Sequence, residues 1–106
     1  MTEFHEVGAL VEFPEGKIRR RMVDGNEVGV VLWRGRFYAF SNRCPHAGFQ
    51  MHFGFVEAEK LHCPIHYAEV ELATGAAVYG PHGVRDIATY TVRVQDATVQ
   101  VKLDPP

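Results

Sequence analysis

The sequence predicts an all-β protein, and three of its features lead to that prediction. Apolar and polar residues alternate with a period of two along most of the 106 residues, as they do in half-buried strands. Turn sequences such as Asp24-Gly25-Asn26 separate these stretches at short intervals. No stretch has the 3.6-residue periodicity of a long amphipathic helix. We therefore expect antiparallel strands joined by turns, in a single domain that spans residues 1–106.

The first part of the chain is predicted to form four strands. They cover residues 3–7, 17–23, 27–33 and 36–41. Ile18 and Met22 lie on one face of the second strand, and Lys17, Arg19 and Arg21 lie on the other. The third strand is apolar along almost its whole length, which is typical of a central strand.

The strands predicted after residue 41 are shorter at first. They cover residues 54–58, 60–62, 69–72, 77–79, 87–95 and 98–103. The last two form a closing hairpin with alternate residues directed towards a core. These residues are Val92, Val94, Val99, Val101 and Leu103.

Two loops of this second part carry residues with metal-binding side chains. Cys44-Pro45-His46 is followed, after sixteen residues, by Cys63-Pro64-Ile65-His66, and the chain has no other cysteine. Thiolate and imidazole bind soft and borderline metal ions. A structural zinc site usually places two cysteines together in one knuckle, whereas each loop here has one cysteine and one histidine. This arrangement suits two sulfide-bridged irons, one bound by both cysteines and the other by both histidines. A zinc-stabilised interaction module is the alternative. His5 and His52 give no comparable signal.

The pattern C-x-H, sixteen residues, C-x-x-H resembles that of the Rieske [2Fe–2S] family. Further matches to the family lie at residues 36–48, Gly54, residues 72–75, Pro81 and residues 90–94. The resemblance implies the Rieske fold, which is an antiparallel β-sandwich base with a small inserted cluster-binding subdomain. Residues 1–41 and 84–106 would form the base, and residues 42–83 the subdomain, with Pro81 in a loop that covers the cluster.

The same resemblance implies one [2Fe–2S] cluster and its ligands. Cys44 and Cys63 would bind the inner iron, and His46 and His66 would bind the outer iron. Tyr67 departs from the family, which often has glycine after the second histidine, and a bulky residue there disfavours a positive φ in the second loop.

In length the chain is most similar to the small ferredoxins of bacterial aromatic-ring-hydroxylating dioxygenases. This similarity implies a monomer that carries single electrons from a flavoprotein reductase to a terminal oxygenase and has no substrate chemistry of its own. The alternative is a small Rieske-type subunit of a nitrite reductase-like enzyme, in which the domain is a fixed component.

Net charge, apolar runs and the use of the cysteines indicate which partners and which cellular compartment to expect. The net charge of −2 gives no reason to expect nucleic acid. The sequence has no apolar run of the ~18 residues that span a bilayer, and its N-terminal region carries Glu3 and Glu6 without the basic residues of a secretory signal. Because both cysteines are assigned to the cluster, no disulfide is expected. We therefore expect a cytoplasmic protein without a membrane partner.

Two groups of residues near the loops have two possible roles each. The acidic group either forms solvated strand faces or steers a basic redox partner. It consists of Glu57, Glu59, Glu69 and Glu71. The apolar group either packs beneath the cluster or forms a docking patch. It consists of Phe49, Met51, Phe53, Ile65 and Tyr67.

The resemblance also predicts a low redox potential. In the high-potential branch of the family, Ser and Tyr, two and four positions after the second histidine, donate hydrogen bonds to sulfur. Ala68 and Val70 occupy those positions here, and neither side chain has a donor. Without donors to stabilise the reduced cluster, the potential should lie below zero.

Overall fold

The computed structural model describes residues 3–43, 50–64, 68–80 and 85–105, and within them the chain folds into two antiparallel sheets. Four strands of the first sheet are β1 (His5–Ala9), β2 (Arg19–Val23), β3 (Asn26–Trp33) and β4 (Arg36–Ser41). The second sheet contains β5 (Phe55–Glu57), β6 (Lys60–His62), β7 (Glu69–Glu71) and β8 (Ala77–Tyr79). The chain returns to the first sheet with β9 (Thr89–Gln95) and β10 (Thr98–Lys102). The predicted all-β class is confirmed, and no helix in the described part of the chain is long and apolar enough to cross a membrane.

The six-stranded sheet has the order β1-β10-β9-β4-β3-β2. Its hairpins follow from the turn sequences, since Asp24, Arg34 and Asp96 each adopt a positive φ where a strand reverses. The sheet curls so that its two edge strands meet. Arg21 on β2 donates a hydrogen bond from Nε to the carbonyl oxygen of Val7 on β1 at 2.8 Å, which partly closes the sheet.

The third strand is apolar throughout because both of its faces are covered. Val28 and Val30 belong to the core of the six-stranded sheet, together with Val99 and Val101 from the closing hairpin. Val31 points the other way, into a second core that includes residues of the four-stranded sheet. The strand thus joins the two halves of the fold by packing.

The four-stranded sheet has the order β5-β6-β7-β8 and lies, in sequence, between β4 and β9. Its inner face carries Val56, Leu61 and Val70, which are directly paired across β5, β6 and β7. These three side chains are 9%, 0% and 1% exposed and pack against Phe40 of the larger sheet. The position of the second sheet is therefore set by apolar contact with β3 and β4.

One residue differs from the sequence expectation. Val94 was predicted to point to the core but is 45% exposed, although Val99 beside it is fully buried. On β2, for which the sequence did not predict which face is buried, Met22 is 54% exposed, and the buried face carries Val23 and the half-buried Arg21. Arg21 is accommodated there because its guanidinium lies over the ring of Phe13, 5.1 Å from the centroid.

Candidate metal centre

Only one of the four predicted ligands, Cys63, lies in the described part of the chain. Cys44, His46 and His66 lie outside the described residues. The same is true of residues 81–84, which contain the predicted covering proline, and of Tyr67. The site is therefore described from Cys63 and from the residues that flank each ligand loop.

Cys63 follows directly after β6 and is 3% exposed. Its backbone N–H donates a hydrogen bond to the carbonyl oxygen of Ala68 at 2.8 Å, so the two ends of segment 64–67 are held together. The side chain packs in the core that the two sheets share. This burial places a thiol where water has little access, at the base of the second ligand loop.

The first ligand loop is closed in a similar way. Arg43 and Gln50 form an isolated antiparallel bridge across segment 44–49. One residue further out, the N–H of Met51 donates to the carbonyl oxygen of Asn42 at 2.7 Å. The residues on either side of segment 44–49, which contains Cys44 and His46 in the sequence, are thus held side by side.

The segment that follows the first loop packs against the residue that precedes the second loop. A Cβ atom added to Gly54 would lie 1.9 Å from the carbonyl oxygen of His62, the residue that precedes Cys63. Met51, Cys63 and Ala68 also belong to one hydrophobic core. The two loops, which are far apart in sequence, therefore start from a common base.

An ion-pair group supports the first loop from the larger sheet. Glu27 on β3 pairs with Arg20 at 2.9 Å and with Arg43, the residue that precedes Cys44. The hydrogen bond from Arg20 is the largest cause that lowers the pKa of Glu27, and Arg43 and the side chain of Asn42 lower the pKa further. The carboxylate thus stays charged and holds Arg43 at the edge of the loop.

These residues fit an iron–sulfur cluster. The sequence supplies two thiolates and two imidazoles on two loops with a common base, and the thiol of Cys63 is buried there as a ligand of an inner iron would be.

The structure separates the apolar group near the loops into different roles. Met51 is 1% exposed and packs in the core beside Cys63, whereas Phe53 is 70% exposed. Phe55, which is 51% exposed, stacks on the ring of His62 with centroids 4.4 Å apart. The other three members of the group, Phe49, Ile65 and Tyr67, lie outside the described residues.

The four residues of the acidic group also differ in their contacts. Glu59 accepts a hydrogen bond from Trp33 Nε1 at 2.9 Å and pairs with Arg34 at 3.0 Å, so it connects the β5–β6 turn to the larger sheet. Glu57 and Glu71 each lie opposite Lys60, on the outer face of the four-stranded sheet. Glu69 is on the same face and lies opposite His62.

Comparison with known proteins shows which family, relatives and solved structures this chain is similar to. The family model of the Rieske [2Fe-2S] domain matches residues 3–95. The ferredoxin component of the 2,4-dinitrotoluene dioxygenase system of Burkholderia sp. (strain RASC) is 37% identical over 99 residues, which cover 93% of this chain and 94% of the relative. The ferredoxin of carbazole 1,9a-dioxygenase from Nocardioides aromaticivorans IC177 has a similar structure, with a TM-score of 0.85 and 31% identity. That match covers 92% of this chain and 95% of the other.

A protein of the alternative class has a similar structure too. A putative NADH-dependent nitrite reductase small subunit from Mycobacterium tuberculosis gives a TM-score of 0.87, and the match covers 96% of each chain. The two sequences are only 21% identical, so this similarity shows the fold alone.

Proposed function

This chain belongs to the Rieske [2Fe-2S] domain family, and on that basis we propose that it delivers single electrons to the oxygenase of an aromatic-ring dioxygenase system. The observation that carries the proposal is the 37% identity, along nearly the whole of both chains, to a ferredoxin component of such a system. The chain is an electron carrier and does not itself transform the aromatic substrate.

The proposed ligands are Cys44, His46, Cys63 and His66, which bind one [2Fe–2S] cluster. When bound by these residues, the cluster would supply one-electron chemistry, and the iron with neutral imidazole ligands would be the easier one to reduce. Burial of Cys63 supports its assignment to the inner iron. In this proposal residues 42–83 form the cluster-binding subdomain, and residues 1–41 and 84–106 form the base.

We also propose that the protein receives its electrons from a flavoprotein reductase. A flavoprotein reductase splits the electron pair of a nicotinamide into single electrons, and a one-electron carrier is the matching acceptor.

We place the protein in the cytoplasm, because both cysteines are needed as reduced ligands. It works as a monomer, since a carrier that docks with two partners in turn needs small, transient interfaces.

Spectroscopy and reconstitution test this function. The purified protein should be red-brown and, once reduced, should give a rhombic paramagnetic signal. Mixed with a dioxygenase-system reductase and its oxygenase, it should restore electron flow from NADH to the oxygenase. A colourless protein that binds zinc would contradict the cluster. Tight copurification with a nitrite reductase large subunit would support the alternative class.

We expect the outer acidic face of the four-stranded sheet to increase the rate of docking. Glu57→Lys and Glu71→Lys should slow electron transfer to the oxygenase at low salt, because each reverses a charge that attracts a basic partner. The difference should shrink as the Debye length falls from about 10 Å at 0.1 M salt to about 3 Å at 1 M. Stopped-flow kinetics at several salt concentrations measure this.

The matched control is Glu6→Lys, an equal charge reversal on β1 of the larger sheet. Glu59 is unsuitable as a docking probe, because its replacement also removes the contacts with Trp33 and Arg34. Equal rates for the wild type, Glu57→Lys and Glu71→Lys at low salt would show that these carboxylates are only a solvated face.

The redox potential should be negative, at the low end of the range of roughly −150 to +300 mV that Rieske centres cover. Ala68 and Val70 are 2% and 1% exposed and share a core with Cys63, yet neither side chain donates a hydrogen bond. Ala68→Ser introduces a hydroxyl there. If the hydroxyl reaches sulfur, the potential should rise by roughly 20–60 mV, the equivalent of one net hydrogen bond.

Direct voltammetry measures both potentials. Ala39→Ser is the control, since Ala39 is equally buried but belongs to the core of the larger sheet. A clearly positive midpoint for the wild-type protein at neutral pH would contradict a role as a dioxygenase-type ferredoxin.

A further inference from the structure

Asn42 is the only polar residue that is buried in the part of the chain the structure describes, with 0% exposure. It follows directly after β4 and precedes the first ligand loop by one residue. Burial of an amide side chain is unfavourable unless its donors and acceptors are satisfied. Its hydrogen bonds therefore show what holds it at this position.

The hydrogen bonds of Asn42 connect three parts of the chain. Its backbone N–H donates to the carbonyl oxygen of Glu27 on β3 at 3.0 Å, and its own carbonyl oxygen accepts from the N–H of Met51 at 2.7 Å. Its side-chain Oδ1 accepts from the backbone N–H of His52 at 2.8 Å, and its Nδ2 lies 2.9 Å from His52 Nδ1. Asn42 thus joins β3 to the chain on both sides of segment 44–49.

The backbone contact determines the direction of the side-chain hydrogen bond. Since a backbone N–H only donates, the atom of Asn42 that faces it must be the oxygen. The other atom is then the NH₂ group, which only donates, so His52 Nδ1 must accept. His52 is therefore neutral, with its proton on Nε2.

The charges around His52 agree with a neutral ring. Burial lowers its pKa below the ordinary value of 6.5, the positive charge of Arg20 on β2 lowers it further, and Glu27 on β3 opposes the shift. Arg43 pairs with the same glutamate, Glu27. Protonation of Nδ1 would place a donor against the Asn42 NH₂ group and break the contact.

We propose that Asn42 and His52 are positioning residues that hold the two ends of segment 44–49 together and so help to keep Cys44 and His46 in place for the cluster. The pair acts through the loop base and not by contact with iron. The inference rests on the proposed assignment of those two ligands. It gives a role to His52, which the sequence left without one.

The first test measures the release of iron to a chelator from the oxidised holoprotein. Asn42→Leu removes the side-chain hydrogen bonds at similar volume, and we expect release at pH 7 to become about tenfold faster, as for the loss of one buried hydrogen bond. The paramagnetic spectrum of the reduced protein should also change, which a loss of global stability alone would not cause. Asn26→Leu is the control, because the exposed side chain of Asn26, at the start of β3, donates to the carbonyl oxygens of Val23 and Asp24 at the β2–β3 turn.

The second test uses His52→Asn. The new side-chain oxygen can take the place of Nδ1 as acceptor but does not titrate between pH 5 and 8. At pH 7 this variant should retain iron as the wild type does, whereas His52→Leu, which has no acceptor, should release it faster. Because the unfolded chain protonates His52 more readily than the folded one, the wild type should lose iron increasingly as the pH falls below about 6.5. His52→Asn should lack this part of the pH dependence, and His5→Asn, a control on β1, should keep it.

The results of these tests distinguish a failure of the positioning role from a failure of the proposed electron-carrier function, on which that role rests. If Asn42→Leu and His52→Leu release iron as slowly as the wild type with an unchanged spectrum, the positioning role is wrong and the carrier function stands. If His52→Asn shows the same pH profile as the wild type, protonation of His52 does not cause the loss of iron. If Asn42→Leu does not fold, the two His52 variants still decide. A wild-type protein that binds no iron–sulfur cluster would overturn the proposed function itself.

Discussion

We expect Cys63→Ala to yield colourless protein without iron or acid-labile sulfide. The thiol is 3% exposed at the common base of both ligand loops. The one other cysteine in the sequence, Cys44, is assigned as a ligand of the same iron and cannot replace it. Cys44→Ala should have the same result. His46→Ala and His66→Ala should lose most of the iron, because each removes one of the two ligands of the outer iron.

Loss of the cluster should also loosen the fold around it. Binding of a cluster to ligands that are far apart in the unfolded chain contributes directly to folding, so its loss should destabilise the four-stranded sheet first. Amide hydrogen exchange of β6 and β7 measures this. Val56→Ala is the control, since it makes a cavity in the same core without removing a ligand and should keep its iron. Stoichiometric iron and sulfide in Cys63→Ala protein would contradict the ligand assignment.

The second large effect is expected from Gly54→Ala. The added methyl group would lie 1.9 Å from the carbonyl oxygen of His62, far inside van der Waals contact. Relief by movement is costly, because His62 is paired with Phe55 on one side and Glu69 on the other. We expect a loss of about 3 kcal/mol or more in the free energy of unfolding, which is large for a single methyl group. Iron content should fall as well, since Cys63 follows His62.

The matched control for this substitution is Gly35→Ala. Gly35 has open space around its Cβ position but a φ of +80°, whereas Gly54 has a φ of −84°. Gly35→Ala should thus cost only backbone strain, about 1–2 kcal/mol, without loss of iron. Urea unfolding of both variants compares the two effects. Equal stability of Gly54→Ala and the wild type would show that the two loop bases are not in close contact.

The exposure of Val94 and of Met22 shows what alternation in a sequence does and does not predict. A period of two states which residues share a face of a strand, and β2, β9 and β10 were predicted correctly to within a few residues. It does not state which face another part of the chain will cover. Arg21 and Val23 face inwards on β2 because the side chain of Arg21 reaches β1 and Phe13, and this is a tertiary contact.

The acidic residues illustrate the same limit. The four glutamates around the loops form one group by sequence, and the structure gives Glu59 a different role because the β5–β6 turn lies against Trp33 and Arg34. Those residues are about 25 positions away and belong to the other sheet. Steering of a partner by Glu57, Glu69 and Glu71 stays a prediction.

The sequence by itself determined the all-β class, most strand positions and the family, because alternation, turn residues and the spacing of Cys44, His46, Cys63 and His66 are local features. The tertiary structure alone decided how the two loops come together. Their common base depends on a close backbone approach at Gly54, on the burial of Cys63 between two sheets, and on Asn42, whose partners come from β3 and from beyond the first loop. Such contacts join residues that no sequence period relates, so only the packed fold shows them.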